Sequence, residues 1–252
     1  MRNLLLASIA LLFARAAFGE EITVDAAASL REVFDDLGKQ LQAKAAGTQV
    51  HMNFAGSQEL RTQIEQGANV DVFASADTKH MAALEKAGLL AGPAKIFARN
   101  EPVIVVAKGN PAGVKGIADL PKAKRLVIGV PEVPIGNYTL QILDKASAKL
   151  GKDFKGKVLA QVVSKELNVR QILAKVTLGE ADVAVVYRTD ANTAKEKLEV
   201  IEIPADVNVV AEYPIAVLKS APQPKLAGAF VDLVLSGDGQ KRLAAAGFTM
   251  PK

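Results

Sequence analysis

Apolar and polar positions follow two alternating rhythms along this chain. Residues 22–24 form a short apolar run that passes through Ala26, Ala27, Ala28 and Ser29. After it Leu30, Val33, Phe34, Leu37 and Leu41 recur at helical spacing. The same grammar returns twice. A strand at 50–54 runs into Ala55-Gly56-Ser57 and a helix marked by Leu60 and Ile64, which Gly67 ends. A strand at 70–74 runs past Asp77 into a helix marked by Met81 and Leu84, which Gly88 ends. Further strands are predicted at 102–107, 125–130, 158–163 and 183–186, with helices at 138–150 and 168–178. Residues 111–121 read as loop, 209–218 as a long extended stretch, and 226–235 and 240–246 as closing helices. No internal sequence repeat is visible.

Strands alternating with helices predict an α/β fold in which mainly parallel sheets carry helices on both faces. The apolar extended stretches near 102–107 and 209–218 divide the chain into outer and inner parts. The expected architecture is two-lobed, with two crossing strands as a hinge. Residues 20–101 and 214–252 would build lobe 1, and residues 102–213 lobe 2. A ligand would sit between them, beyond the carboxyl ends of the strands.

The N-terminus changes the picture of where the chain works. Met1-Arg2 is a short positive segment, residues 4–13 are apolar but too short to span a bilayer, and Ala17-Phe18-Gly19 offers small residues for a signal peptidase. Residues 1–19 thus read as a signal peptide, with the mature chain starting at Glu20 or, by cleavage after Ala16, slightly earlier. No later run of 18 apolar residues exists, so no internal membrane span is expected. Half of the 252 residues are hydrophobic, ample for a sizeable core. The chain carries 31 basic and 27 acidic residues, and loss of Arg2 and Arg15 leaves 29 against 27. That mild balance gives no reason to expect a nucleic-acid partner. With no cysteine, disulfides, thiolate metal sites and cysteine nucleophiles are excluded.

A search for catalytic chemistry finds little. His51 and His80 are the two histidines, in no metal-ligand spacing, and both read as structural or surface residues. Asp35 and Asp36 lie on a helix and read as solvated. No nucleophile elbow, phosphate loop or dinucleotide fingerprint occurs. The expectation is a protein that is not an enzyme and needs no cofactor.

What remains is a set of helix starts: Ser29, Ser57, Ile135-Gly136 and Asn168-Val169. Each leaves backbone N–H groups without intrahelical partners and carries about half a positive charge from aligned peptide dipoles. Several such ends meeting at one cleft make an anion site without cationic side chains. The hydroxyls of Ser29, Ser57 and Tyr187 would add donors. Each serine is also a favoured N-cap, and Ser29-Leu30-Arg31-Glu32 fits a capping box. Tyr187, at a strand end, taken alone reads first as a packing residue with a satisfied hydroxyl. Arg61, Arg170 and Arg188 read as surface residues that steer anions.

Taken together, several segments resemble the periplasmic molybdate-binding proteins of ATP-binding-cassette uptake systems. These are Ala26-Ala27-Ala28-Ser29-Leu30, Asn53-Phe54-Ala55-Gly56-Ser57, Val133-Pro134-Ile135-Gly136-Asn137-Tyr138, Asn168-Val169-Arg170, Val185-Val186-Tyr187-Arg188-Thr189-Asp190 and Glu212-Tyr213-Pro214. They occur in the family's order across nearly all of the mature chain. The resemblance implies a type II periplasmic binding fold and a periplasmic monomer that hands its ligand to a membrane permease. It also implies molybdate contacts at Ser29, Ser57, Ile135, Val169 and Tyr187. Ile135 departs from the alanine common in the family, which preserves the backbone donor but bears on selectivity. Tungstate, of nearly the same geometry and charge, is expected to bind as well. The alternatives are a binder of another oxyanion such as sulfate, or a two-lobed anion-sensing domain.

Overall fold

The computed structural model describes residues 20–45 and 47–251; the signal-peptide reading of residues 1–19 lies outside them. In chain order, β1 (Glu21–Ala27), α1 (Arg31–Lys44), β2 (Gln49–Ala55), α2 (Ser57–Glu65), β3 (Val72–Ala74), α3 (Thr78–Lys86) and β4 (Lys95–Asn100) form the first half of one lobe. β5 (Pro102–Ala107), β6 (Leu126–Gly129), α4 (Pro134–Leu150), α5 (Phe154–Leu159), β7 (Val162–Glu166), α6 (Val169–Thr177), β8 (Val183–Tyr187), α7 (Arg188–Asn192) and β9 (Leu198–Ile201) form the other lobe. β10 (Ala211–Val217), α8 (Pro224–Leu235) and α9 (Gly237–Ala246) then return to the first.

Each lobe has a five-stranded sheet, ordered β2-β1-β3-β10-β4 in the first and β7-β6-β8-β5-β9 in the second. β1 pairs in parallel with β2 and β3, and β6 with β7 and β8. β10 runs antiparallel to both of its neighbours, and so does β5. The sheets are therefore mixed, with one reversed strand each. The reversed strand is in both cases the one that follows a crossing between lobes, because the chain enters the new sheet from the cleft side. The two lobes thus share one topology although their sequences show no repeat.

The crossings differ in detail from the expected hinge strands. β5 lies wholly in the second sheet and β10 wholly in the first, where Ala211 pairs with Asn100. The chain changes lobe at Glu101 and again over residues 202–210. Two further differences are local. α4 starts at Pro134, four residues before the predicted helix, because proline suits a first helical position. The apolar run predicted as a strand at 158–163 is split between α5 and β7, since Phe154 and Val158 bury one turn against the lobe.

Packing follows the apolar stripes. α1 buries Val33, Phe34, Leu37 and Leu41, and the Phe34 ring meets Phe97 at 5.7 Å and Phe230 at 5.5 Å, tying α1 to β4 and α8. Leu60, Ile64, Phe73, Met81 and Leu84 form a separate cluster beneath α2 and α3. Gly67 and Gly88, with φ of +90° and +69°, close those two helices in the left-handed conformation that suits glycine.

Candidate functional site

The strand-to-helix turns of both lobes meet at one cavity. Ser29, Ser57, Ile135, Val169 and Tyr187 all line it, with Ala27, Ala28, Ala55, Gly56, Ala76, Val133, Pro134 and Asn168 completing the wall. No charged side chain is among these lining residues.

Three helices offer their first turns. Ser57 is the first residue of α2, and Gly56 holds the N-cap position. The Glu59 carboxylate reaches back to the Gly56 N–H at 3.1 Å. In α4, Pro134 has no N–H, so Ile135 supplies the helix's first backbone donor. The turn before it is tight: a Cβ on Gly136 would lie 2.1 Å from the Val130 carbonyl oxygen, which leaves room only for glycine. In α6, the Asn168 side chain accepts from Arg170 N–H and Gln171 N–H, each at 3.1 Å. Val169 N–H, at the first helical position, is left without an intrahelical partner.

The serines do not act as the caps that sequence alone allows. Ser29 lies in a 3-10 turn, Ala28–Leu30, that runs into α1, and its side chain caps nothing. Its Oγ is instead 3.0 Å from the Tyr213 hydroxyl. The predicted capping box with Glu32 is absent, because Glu32 pairs across the cleft with Arg170 at 2.7 and 2.5 Å. Ser57 Oγ accepts the Ala76 N–H at 3.0 Å.

Tyr187 ends β8 with only 1 % of its surface exposed, and its hydroxyl has no partner among the described residues. Burial pushes its phenol well above the ordinary value, so the proton stays on as a donor. Edge-on contacts with Tyr138 at 6.5 Å and Tyr213 at 5.8 Å hold the ring. A buried hydroxyl without a partner costs about 1–3 kcal/mol, a deficit that a bound acceptor would remove.

The lobes touch around the cavity. Gln58 Nε2 donates to the Leu167 carbonyl at 2.7 Å, and His80 Nε2 to the Glu132 carbonyl at 2.9 Å. Asn100 Nδ2 donates to Thr189 Oγ1 at 2.8 Å. His80 is thus a buried structural residue, and His51 is an exposed one beside Glu21.

Arg170 is not the free surface cation expected. Besides Glu32 it meets Asp190, whose Oδ1 lies 2.6 Å from Arg170 Nε. Asp190 is fully buried; burial raises its pKa to about 6 and the Arg170 charge pulls against that rise. Arg188 is engaged by Glu202 and Glu101, and Arg61 lies 3.7 Å from Glu65. Sequence reasoning missed Tyr213, Asn100 and the Arg170–Asp190 pair. Tyr213 and Asp190 each lay within a quoted segment, but nothing local marks their partners.

Two α/β lobes closing on a cavity walled by neutral hydrogen-bond donors define a solute-binding protein. A family model described as bacterial extracellular solute-binding protein matches residues 22–249, and the chain belongs to that family. It is 43% identical over 231 residues to the molybdate-binding protein ModA of Mycobacterium tuberculosis, covering 91% of this chain and 85% of that one. Among solved structures, the periplasmic molybdate-binding protein of Azotobacter vinelandii superposes with a TM-score of 0.78 at 20% identity, covering 92% of this chain and 100% of that one. The sulfate-binding protein SubI of Mycobacterium tuberculosis superposes with a TM-score of 0.82, also at 20% identity, covering 92% and 87%. At such identities these structures establish the fold, and the choice of anion rests on the site. No helix among the described residues is long and apolar enough to cross a membrane.

Proposed function

We propose that this chain binds molybdate, and tungstate with it, in the cavity between its lobes and delivers it to the permease of an ATP-binding-cassette transporter. The observation that carries this reading is the convergence of donors without charge. Ser57, Ile135 and Val169, each in the first turn of its helix, line one cavity with the turn at Ser29 and with Tyr187, whose hydroxyl has no partner among the described residues. Molybdate is fully deprotonated near neutral pH and only accepts hydrogen bonds, which suits such a wall. Neutral donors also avoid the cost of burying lysine or arginine beside the ligand. Each charge-assisted bond contributes about 1.5–3 kcal/mol, so several support a tight complex after ordering costs. The 43% identity to a protein named for molybdate binding supports the same choice.

The chain would work as an exported, periplasmic monomer. It would act as a carrier with no catalytic step and no cofactor, the metal entering only as its oxyanion. Calorimetric titration of the chain from Glu20 onwards with molybdate, tungstate, sulfate and hydrogen phosphate tests the reading. Tight molybdate and tungstate binding with much weaker sulfate binding is expected. Equal affinity for sulfate would defeat the molybdate assignment.

A further inference from the structure

The proposed site needs its serine hydroxyls to give their protons to the ligand, and the structure holds a device that decides which way one of them points. Asn100 closes β4, at the first crossing between lobes, and is 1 % exposed. Its Oδ1 accepts the Glu101 N–H at 3.0 Å, which fixes the orientation of the amide. Its Nδ2 then faces Thr189 Oγ1 at 2.8 Å and the Tyr213 hydroxyl at 3.4 Å. An amide nitrogen only donates, so the Tyr213 oxygen is the acceptor there. Among the described residues, the one acceptor within hydrogen-bond distance of the Tyr213 proton is Ser29 Oγ, at 3.0 Å. Were Ser29 to donate to Tyr213 instead, the phenol proton would be buried with nothing to receive it.

We infer that Tyr213, oriented by Asn100, is a positioning residue that sets Ser29 as an obligate donor and thereby makes the site select against protonated oxyanions. The inference deepens the anion-binding reading and rests on it. The polarity runs in one direction, from Glu101 N–H to Asn100, from Asn100 to Tyr213, from Tyr213 to Ser29, and from Ser29 into the cavity. Ser57 is set in the same way by the Ala76 N–H. An anion that turned an O–H toward Ser29 would force the serine proton away from the cavity. There, no protein acceptor among the described residues lies within hydrogen-bond distance of Ser29 Oγ besides the Tyr213 oxygen, itself donating to it. Tyr213 is fully buried, and its ring is held edge-on by Phe97 at 6.3 Å and Phe248 at 5.4 Å. Burial also keeps its phenol protonated.

The test compares ratios of dissociation constants for molybdate, sulfate and hydrogen phosphate in the wild type, Tyr213→Phe and Asn100→Asp. Tyr213→Phe leaves Asn100 its Thr189 partner. It should weaken molybdate and sulfate by about tenfold while sparing hydrogen phosphate, which narrows the discrimination by the same factor. Asn100→Asp is close to isosteric and can still accept from Glu101 N–H. Its carboxylate would take the Tyr213 proton, turn the phenol oxygen toward Ser29 and reverse the chain of donors. The added charge weakens all three anions, but hydrogen phosphate least. Should Tyr213→Phe fold poorly, Asn100→Asp decides alone. Parallel loss of all three anions in the folded variants, or unchanged ratios, would overturn the inference. A wild type preferring sulfate would sink the molybdate reading and leave this comparison of ratios intact. A wild type taking hydrogen phosphate as tightly as the others, or binding none of the three, would overturn it.

Discussion

The two walls of the cavity are built from the same strand-to-helix turns but hold their donors differently. On the first lobe, both serine hydroxyls are tied into the protein, Ser29 to Tyr213 and Ser57 to the Ala76 N–H. On the second, the Tyr187 hydroxyl is tied to nothing among the described residues, and Ile135 and Val169 offer backbone alone. One wall is therefore set before a ligand arrives, while the other keeps a donor in deficit until it does. Two lobes of one topology can divide a binding task between orientation and capture.

The largest expected effect comes from blocking the approach of the walls. A Cβ on Gly56 would lie 2.3 Å from the Leu167 carbonyl oxygen on the opposite lobe, whereas Gly56 itself has an ordinary φ of −67°. Gly56→Ala should keep each lobe folded but hold the cleft ajar, lowering anion affinity by about 100-fold through loss of the closed population. Small-angle scattering with and without ligand would read this directly; a variant that still compacts normally on binding would refute the assigned role of that contact.

Next come the hydroxyls themselves, which should separate the walls. Ser57→Ala and Tyr187→Phe should each cost about 1.5–3 kcal/mol of binding, roughly 10–100-fold. Only Ser57→Ala should also lower the melting temperature, because it strands the buried Ala76 N–H. Tyr187→Phe removes no bond within the protein and should melt no lower than the wild type. Equal thermal losses in both variants would erase the distinction drawn between the walls.

The smallest effect concerns stability alone and lies behind the first wall. Asp25 on β1 is buried beside Asn53, whose Nδ2 donates to it at 3.0 Å, and its Oδ2 has no partner among the described residues. Burial raises its pKa from 3.8 to about 6, against the opposing pull of Asn53. The folded state therefore holds a proton that the unfolded state has already lost, and stability falls as pH rises between those two values. Asp25→Asn should recover about 1–2 kcal/mol at pH 7, a rise of about 3–6 °C in melting temperature. At pH 4 it should recover almost nothing, and affinity should stay unchanged. A gain of the same size at both pH values would show that charge is not the cause.

Much of this architecture is legible in the sequence, since the strand–helix alternation and the glycine stops at Gly67 and Gly88 are local signals. The five expected residues among those lining the cavity are legible for a related reason: each sits in a strand-to-helix turn, at a helix start or at a strand end, where backbone groups lack local partners. What stayed hidden depends on distance along the chain. Ser29 and Glu32 make a convincing local cap, but Tyr213 and Arg170 outcompete it from 184 and 138 residues away. Arg170 reads as solvated until Asp190 is seen buried beneath it, where a cation lowers the cost of keeping a buried carboxylate charged.

The lone phenol of Tyr187 has a consequence for the traffic of such a carrier. Shutting around nothing would imprison that group, together with the bare amides beside it, away from any water able to satisfy them. An unladen clamp should therefore spring open far more readily than a laden one. A transporter that engages only the shut form would then seldom spend ATP on an empty shuttle.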